Sequence, residues 1–117
     1  MKKPSQKSLT NKLDRVISEI VRSRGRCERC GNTETLQTAH AYSRSNFTVR
    51  WDLDNTFCLC YNCHFNFAHK NPIGFTEWVK ESIGEIRYEA LKVRANTRKI
   101  WAIYEKQELY KKLLELK

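Results

Sequence analysis

Two cysteine pairs with one spacing, Cys27-Glu28-Arg29-Cys30 and Cys60-Tyr61-Asn62-Cys63, stand about thirty residues apart in this chain. A Cys-x-x-Cys turn offers two thiolates to a metal ion, and two such turns complete the tetrahedron that a structural Zn2+ takes. Cysteines that serve only as small buried apolar residues would not need the repeated spacing. The four thiols therefore read as one structural zinc site. In a reducing compartment thiols stay available to metal, so the fifth cysteine, Cys58, needs no disulfide partner and reads as a core residue. Two residues before Cys60 on a short strand, it is expected to point to the same side as Cys60.

The three histidines, His40, His64 and His69, all fall between or just after those turns, and none lies in a basic arm. A phosphodiesterase that uses one metal needs a neutral imidazole to take a proton from water. It also needs a cation to hold the scissile phosphate and stabilise the leaving oxygen. His40, on a first strand, is the candidate base, and His64, at the start of a helix, is the candidate ligand across from it. Arg44 and Arg50 flank the loop after His40 and are candidates to clamp a neighbouring phosphate. Arg50 also has Asp52 in reach as an ion partner, with Trp51 turned into the core.

A length of 117 residues suits one small domain, whose modest core gains from a metal. The net charge of +9 is uneven: residues 1–26 carry eight Lys or Arg against Asp14 and Glu19, while residues 27–69 are nearly balanced. Basic flanks around a near-neutral centre suit a module drawn to phosphates from both sides, and also a set of solvated helix faces. The chain has no apolar run of about 18 residues and no apolar leader, so neither membrane insertion nor secretion is expected, and a cytoplasmic setting is.

The elements that must position these groups follow from periodicity. Residues 1–8 read as a basic arm. Leu9, Leu13, Val16, Ile17, Ile20 and Val21 recur at helical spacing, with Ser8 or Thr10 as N-cap and an end near Arg24, before Gly25. Gly31 supplies the positive φ that a metal-binding turn requires. Segments 36–41 and 55–59 read as two strands of a hairpin, joined by a polar loop too long for a tight turn. A short helix follows Cys63 and stops near Asn71-Pro72. Beyond it, Phe75, Trp78, Val79 and Ile83 mark one helix ended by Gly84; Tyr88, Leu91 and Val93 mark a second. Ile100, Ile103, Tyr104, Leu109, Tyr110, Leu113 and Leu114 mark a long third helix. Its apolar face can pack on the domain or on a second copy, as a homodimer. The class is α+β, with segments 1–25, 26–71 and 72–117 forming one structural domain.

The succession "CERC", "LQTAH", "RWDLDN", "LCYNCH" resembles the HNH endonucleases, whose ββα-metal fold gathers a first His, a loop Asn and a helical His around one divalent cation. Within them, the run "TAHAYSRSNFTVRWDLDNTFCLCYNCH" is most similar to small phage proteins, including the NinG (Rap) type recombination nucleases. The likeness covers about residues 26–85. It implies a DNA-cleaving hydrolase with Mg2+ or Mn2+ as its catalytic metal beside the structural zinc. It implies that His40 is the general base, that Asn55 braces the loop and orients His40, and that His64 is a metal ligand. A side-chain amide is well suited to Asn55's role, since it can bond backbone groups across a long loop. Many relatives carry a second ligand directly before the first His, where this chain has Ala39. His69 is the favoured replacement, and Gln37, Asp52 and Asp54 also lie within reach. Because five residues separate His64 from His69, an irregular helix is expected there.

Overall fold

The computed structural model describes residues 4–117, so the first three residues of the basic arm lie outside it. Helix α1 (Gln6–Arg22) buries Leu9, Leu13, Val16, Ile17 and Val21 along one stripe. It starts earlier than Ser8 or Thr10: Ser5 is the N-cap, its Oγ accepting from the Ser8 N–H at 3.0 Å, so residues 6–8 are helix and not arm. It also stops two residues before Arg24. There the Ser23 hydroxyl donates back to the Ile20 carbonyl at 2.6 Å, and Gly25 takes φ +83°.

Strands β1 (Gln37–His40) and β2 (Thr56–Leu59) pair antiparallel, with Ala39 opposite Phe57 and His40 opposite Thr56. Each is four residues long, shorter than the sequence suggests. A two-stranded sheet is marginal by itself, so its stability comes from both faces. On one face Cys58 packs with Leu13, Val16, Ile17, Val21, Trp51 and Leu113; on the other Phe57 and Leu59 pack with Ala39, Phe75, Val79 and Tyr88. Cys58 is thus core, as expected, but on the side opposite to Cys60, which joins the second cluster. The period-two rule fails there because the strand ends at Leu59 and the chain has turned by Cys60. The outer edge of β2 is closed by Glu28. Its carboxylate accepts from the Cys58 N–H at 2.6 Å and its own N–H donates to the Cys58 carbonyl at 2.8 Å.

After β2 comes a π-helical segment (Asn62–His69), then α2 (Pro72–Ile83), capped by Asn71, whose Oδ1 accepts from the Gly74 N–H. Gly84, at φ +83°, turns the chain directly into α3 (Glu85–Ala95). Tyr88 and Leu91 are buried there, while Val93 is 65% exposed and belongs to no stripe. Helix α4 (Ile103–Leu116) lays Leu113, with Leu109 and Tyr110 beside it, against α1 of the same chain. Ile100 precedes that helix and is exposed. Trp101, which helical spacing could not single out, packs edge-on to Trp51 at 5.6 Å and donates its Nε1–H to the Phe47 carbonyl.

Candidate metal centre and histidine cleft

The Sγ atoms of Cys27, Cys30, Cys60 and Cys63 all lie within 4.8 Å of one another, and those of Cys30 and Cys60 are 3.6 Å apart. Four thiolates at about 2.3 Å from one ion stand about 3.8 Å from each other, so this cluster can hold a metal ion such as zinc with small shifts. It is the only such gathering of three or more ligating side chains among the described residues. The first turn is shaped for the purpose: Gly31, at φ +82°, donates to the Cys27 carbonyl, and the Cys30 N–H points at the Cys27 sulfur from 3.5 Å.

Burial works to raise the Cys27 thiol, but N–H donors from Cys60, Cys30 and Arg29 outweigh it and bring the pKa down to about 6. Burial pushes Cys63 up to about 12, against an Arg29 contact. Four thiols this close cannot all ionise unaided, whereas a bound cation deprotonates its thiol ligands outright. The Arg29 guanidinium, 3.6 Å from the Phe67 ring centre and 3.5 Å from the Cys63 sulfur, would offset part of the resulting negative charge.

All three histidines line one cleft of about 500 Å³, together with Thr38, Ser43 and Arg44. His40 closes β1, and its Nε2 lies 3.1 Å from the Arg50 carbonyl. A carbonyl only accepts, so Nε2 carries the proton and Nδ1 is left as the basic nitrogen. Burial is the main reason that its pKa lies below 6.5; the charges of Arg44 and Arg50 push the same way, and the bond to the Arg50 carbonyl opposes them.

The Arg50 carbonyl is itself held in place. Asn55 is fully buried; its Oδ1 accepts from the Tyr42 N–H at 2.6 Å, and its Nδ2 donates to the carbonyls of Tyr42 at 3.1 Å and Val49 at 3.0 Å. One side chain therefore joins the start of the loop to its end, next to Arg50. Asp14 on α1 fastens the same segment from outside. It accepts from Arg50 Nε at 3.0 Å and Nη2 at 2.7 Å, from Trp51 Nε1 at 2.8 Å and from Arg44 at 3.1 Å. Burial works to raise the Asp14 carboxyl, but the Arg50 and Trp51 bonds and the two arginine charges hold it low. Sequence reasoning missed this residue. The one available signal was that an acid interrupts the strongly basic first 26 residues.

Arg50 is therefore paired with Asp14 and not with Asp52, its side chain 13% exposed, and it is not among the residues that line the cleft. Trp51 is buried, as expected. Arg44 lines the cleft with a side chain 60% exposed. Because removing Asp14 leaves four N–H donors from three side chains unpaired, Asp14→Ala should cost on the order of 3 kcal/mol in urea unfolding. Asp14→Asn should recover part of that loss.

His64 Nδ1 lies 2.8 Å from Gln37 Oε1; with the amide oxygen as acceptor, Nδ1 carries the proton and Nε2 is left with the lone pair that could ligate a metal. In an α-helix residues five apart diverge by about 140°. The π-helical turn widens the spiral, and the His64 and His69 rings meet edge to face with centres 4.6 Å apart. Two imidazoles sharing an ion at about 2.1 Å hold their centres on the order of 5 Å apart, near the spacing of this pair.

Gln37, Asp52 and Asp54 are each engaged by other side chains. Gln37 holds His64. Asp52 bonds Arg94 at 2.7 Å and accepts from the Asp54 N–H, and Asp54 bonds Arg87. Comparison with protein families, with curated proteins and with solved structures finds no match, so the site must be read from its own geometry.

Proposed function

We propose that this chain is a metal-dependent endonuclease of the HNH type, which hydrolyses DNA phosphodiester bonds on a ββα core stapled by a Cys27/Cys30/Cys60/Cys63 zinc. One observation carries the reading: every histidine of the chain lines one cleft, and His40 Nε2 and His64 Nδ1 each sit against an oxygen, which leaves the other ring nitrogen of each without that contact. His40 presents a basic Nδ1 to a water molecule and takes its proton. His64, with His69, presents imidazole nitrogen to a divalent cation. That cation would supply charge to the scissile phosphate and the leaving oxygen. Asn55 keeps the loop folded so that the Arg50 carbonyl fixes the His40 ring. Arg44, at the cleft wall, holds an adjoining phosphate. The products would carry 5′-phosphate and 3′-hydroxyl ends, and the setting would be phage DNA recombination or processing.

The test is cleavage of supercoiled plasmid with Mg2+ or Mn2+, comparing wild type with His40→Ala. A nuclease loses nicking in that variant; equal cutting by both proteins would sink the assignment. The second reading is a zinc module that binds nucleic acid without cutting it, and the lack of any carboxylate among the described cleft residues favours it. It predicts binding but no nicking with either metal.

A pH dependence follows from the depressed His40 pKa. Since the base must be neutral, the rate should hold level through pH 6.5 and fall only as pH drops through the lowered value. The linkage has the same sign. Protonation is harder in the folded chain, so His40 removes stability as pH falls from 6.5 through its folded pKa. An acid limb centred above 6.5 in the cleavage profile would contradict this.

A further inference from the structure

The segment Tyr61–Lys70 shows solvent two parallel rails. One is aromatic. The rings of Tyr61 and Phe65 stack at 4.8 Å and 27°, and those of Phe65 and His69 at 5.2 Å and 17°, although Tyr61 is 52% and Phe65 43% exposed. The other rail carries amides, with Asn66 Nδ2 donating to Asn62 Oδ1 at 2.8 Å, and Lys70 follows one turn on. No Asp or Glu occurs from residue 55 to residue 76, in a chain that is 30% charged. An exposed ring column beside amides, free of acids, is poorly suited to water alone and well suited to a polyanion whose bases offer flat faces and hydrogen-bonding edges.

The column also has a direction. Its His69 end lines the histidine cleft, while the Tyr61 ring stacks only on Phe65, so its outer face is open for another ring. The two ends are eight residues apart, on the order of 10 Å along the helix, or about three stacked nucleotides. We infer that the open face of the Tyr61 ring, backed by Phe65 and His69, is a stacking platform for an unpaired base of the strand whose phosphate occupies the cleft. The preferred substrate is thus single-stranded DNA. Bases paired in a duplex keep their faces stacked on each other and cannot use the column.

This inference rests on the nuclease reading for where the strand lies, and a binding assay separates the two. Fluorescence anisotropy of a labelled single-stranded oligonucleotide, and of a duplex of the same sequence, is measured on the zinc-loaded protein without added divalent metal. Tyr61→Ala and Phe65→Ala should each weaken single-strand binding about tenfold or more. Tyr61→Phe, which keeps the ring, should stay within about twofold of wild type, and duplex binding should change by no more than that in any variant. Zinc content and circular dichroism check that the exposed-residue variants fold.

Single-strand binding that is unchanged in both alanine variants overturns the platform, including the case in which this face docks a protein. An equal loss of duplex binding overturns it as well. If the platform result is obtained but no metal supports cleavage, the nuclease reading fails alone. If His40→Ala abolishes cutting while Tyr61→Ala and Phe65→Ala bind and cut single strands as wild type does, the platform fails alone.

Discussion

A Cys60→Ser protein should bind no stoichiometric metal and lose its cooperative fold, while wild type contains about one zinc per chain. Structural zinc in small domains contributes on the order of 10 kcal/mol or more of apparent binding free energy. The whole net stability of a domain is about 5–15 kcal/mol. Losing the ion should therefore remove most or all of the margin. The damage should be uneven. Cys27, Cys60 and Cys63 sit in the cluster with Phe57, Leu59, Phe75 and Val79, whereas Leu13, Ile17, Val21, Trp51 and Leu113 form the other cluster without any of the four ligands. Residual helix signal from α1 and α4, with loss of hydrogen-exchange protection in β2 and α2, is the expected pattern. A metal-free wild type that melts normally, or a Cys60→Ser protein with wild-type melting and metal content, would refute the zinc assignment. Cys58→Ser, by contrast, should leave metal content unchanged, because Cys58 faces α1.

His40→Ala should lower DNA cleavage by about 10²- to 10⁴-fold, the range that a positioned general base contributes. Its stability should change by only about 1 kcal/mol, since one hydrogen bond, to the Arg50 carbonyl, is lost. Metal content and DNA affinity should match wild type. That separation matters because the loop that holds His40 is braced by Asn55 and, from α1, by Asp14, whose loss would also slow cleavage by unseating the loop. A variant at either of those positions should lose melting temperature and rate together, while His40→Ala should lose rate alone. Equal cleavage by His40→Ala, measured as initial nicking rate with Mn2+ and with Mg2+, removes the base assignment. A large loss of melting temperature would instead show His40 to be structural.

The four-cysteine cluster was legible because its chemistry is written locally. Cys-x-x-Cys spacing brings two sulfurs together within one turn, and Gly31 marks the required left-handed residue. The stripe of α1 and the Gly84 break were legible for the same reason, since helical period and glycine conformation are properties of neighbours in sequence. Strand limits, the N-cap at Ser5 and the exposure of Val93 were not, because each depends on what packs there. Within the cleft, the histidines could be named as candidates by type. The ring orientations of His40 and His64, however, come from the Arg50 backbone carbonyl and the Gln37 side-chain amide, which lie 10 and 27 residues away.

By itself, then, the sequence determined a four-cysteine cluster, an α+β chain with helical flanks, and three histidines confined to one stretch. The tertiary structure alone decided that Cys58 turns away from Cys60, that a π-helical turn brings His64 and His69 onto one face, and that Asp14 takes Arg50 from 36 residues away. The reason is physical. Ligand pairs and helix stripes are set by dihedral geometry over a few residues. The partner of a buried charge is set by which donors the folded chain leaves unpaired, and no spacing rule records that.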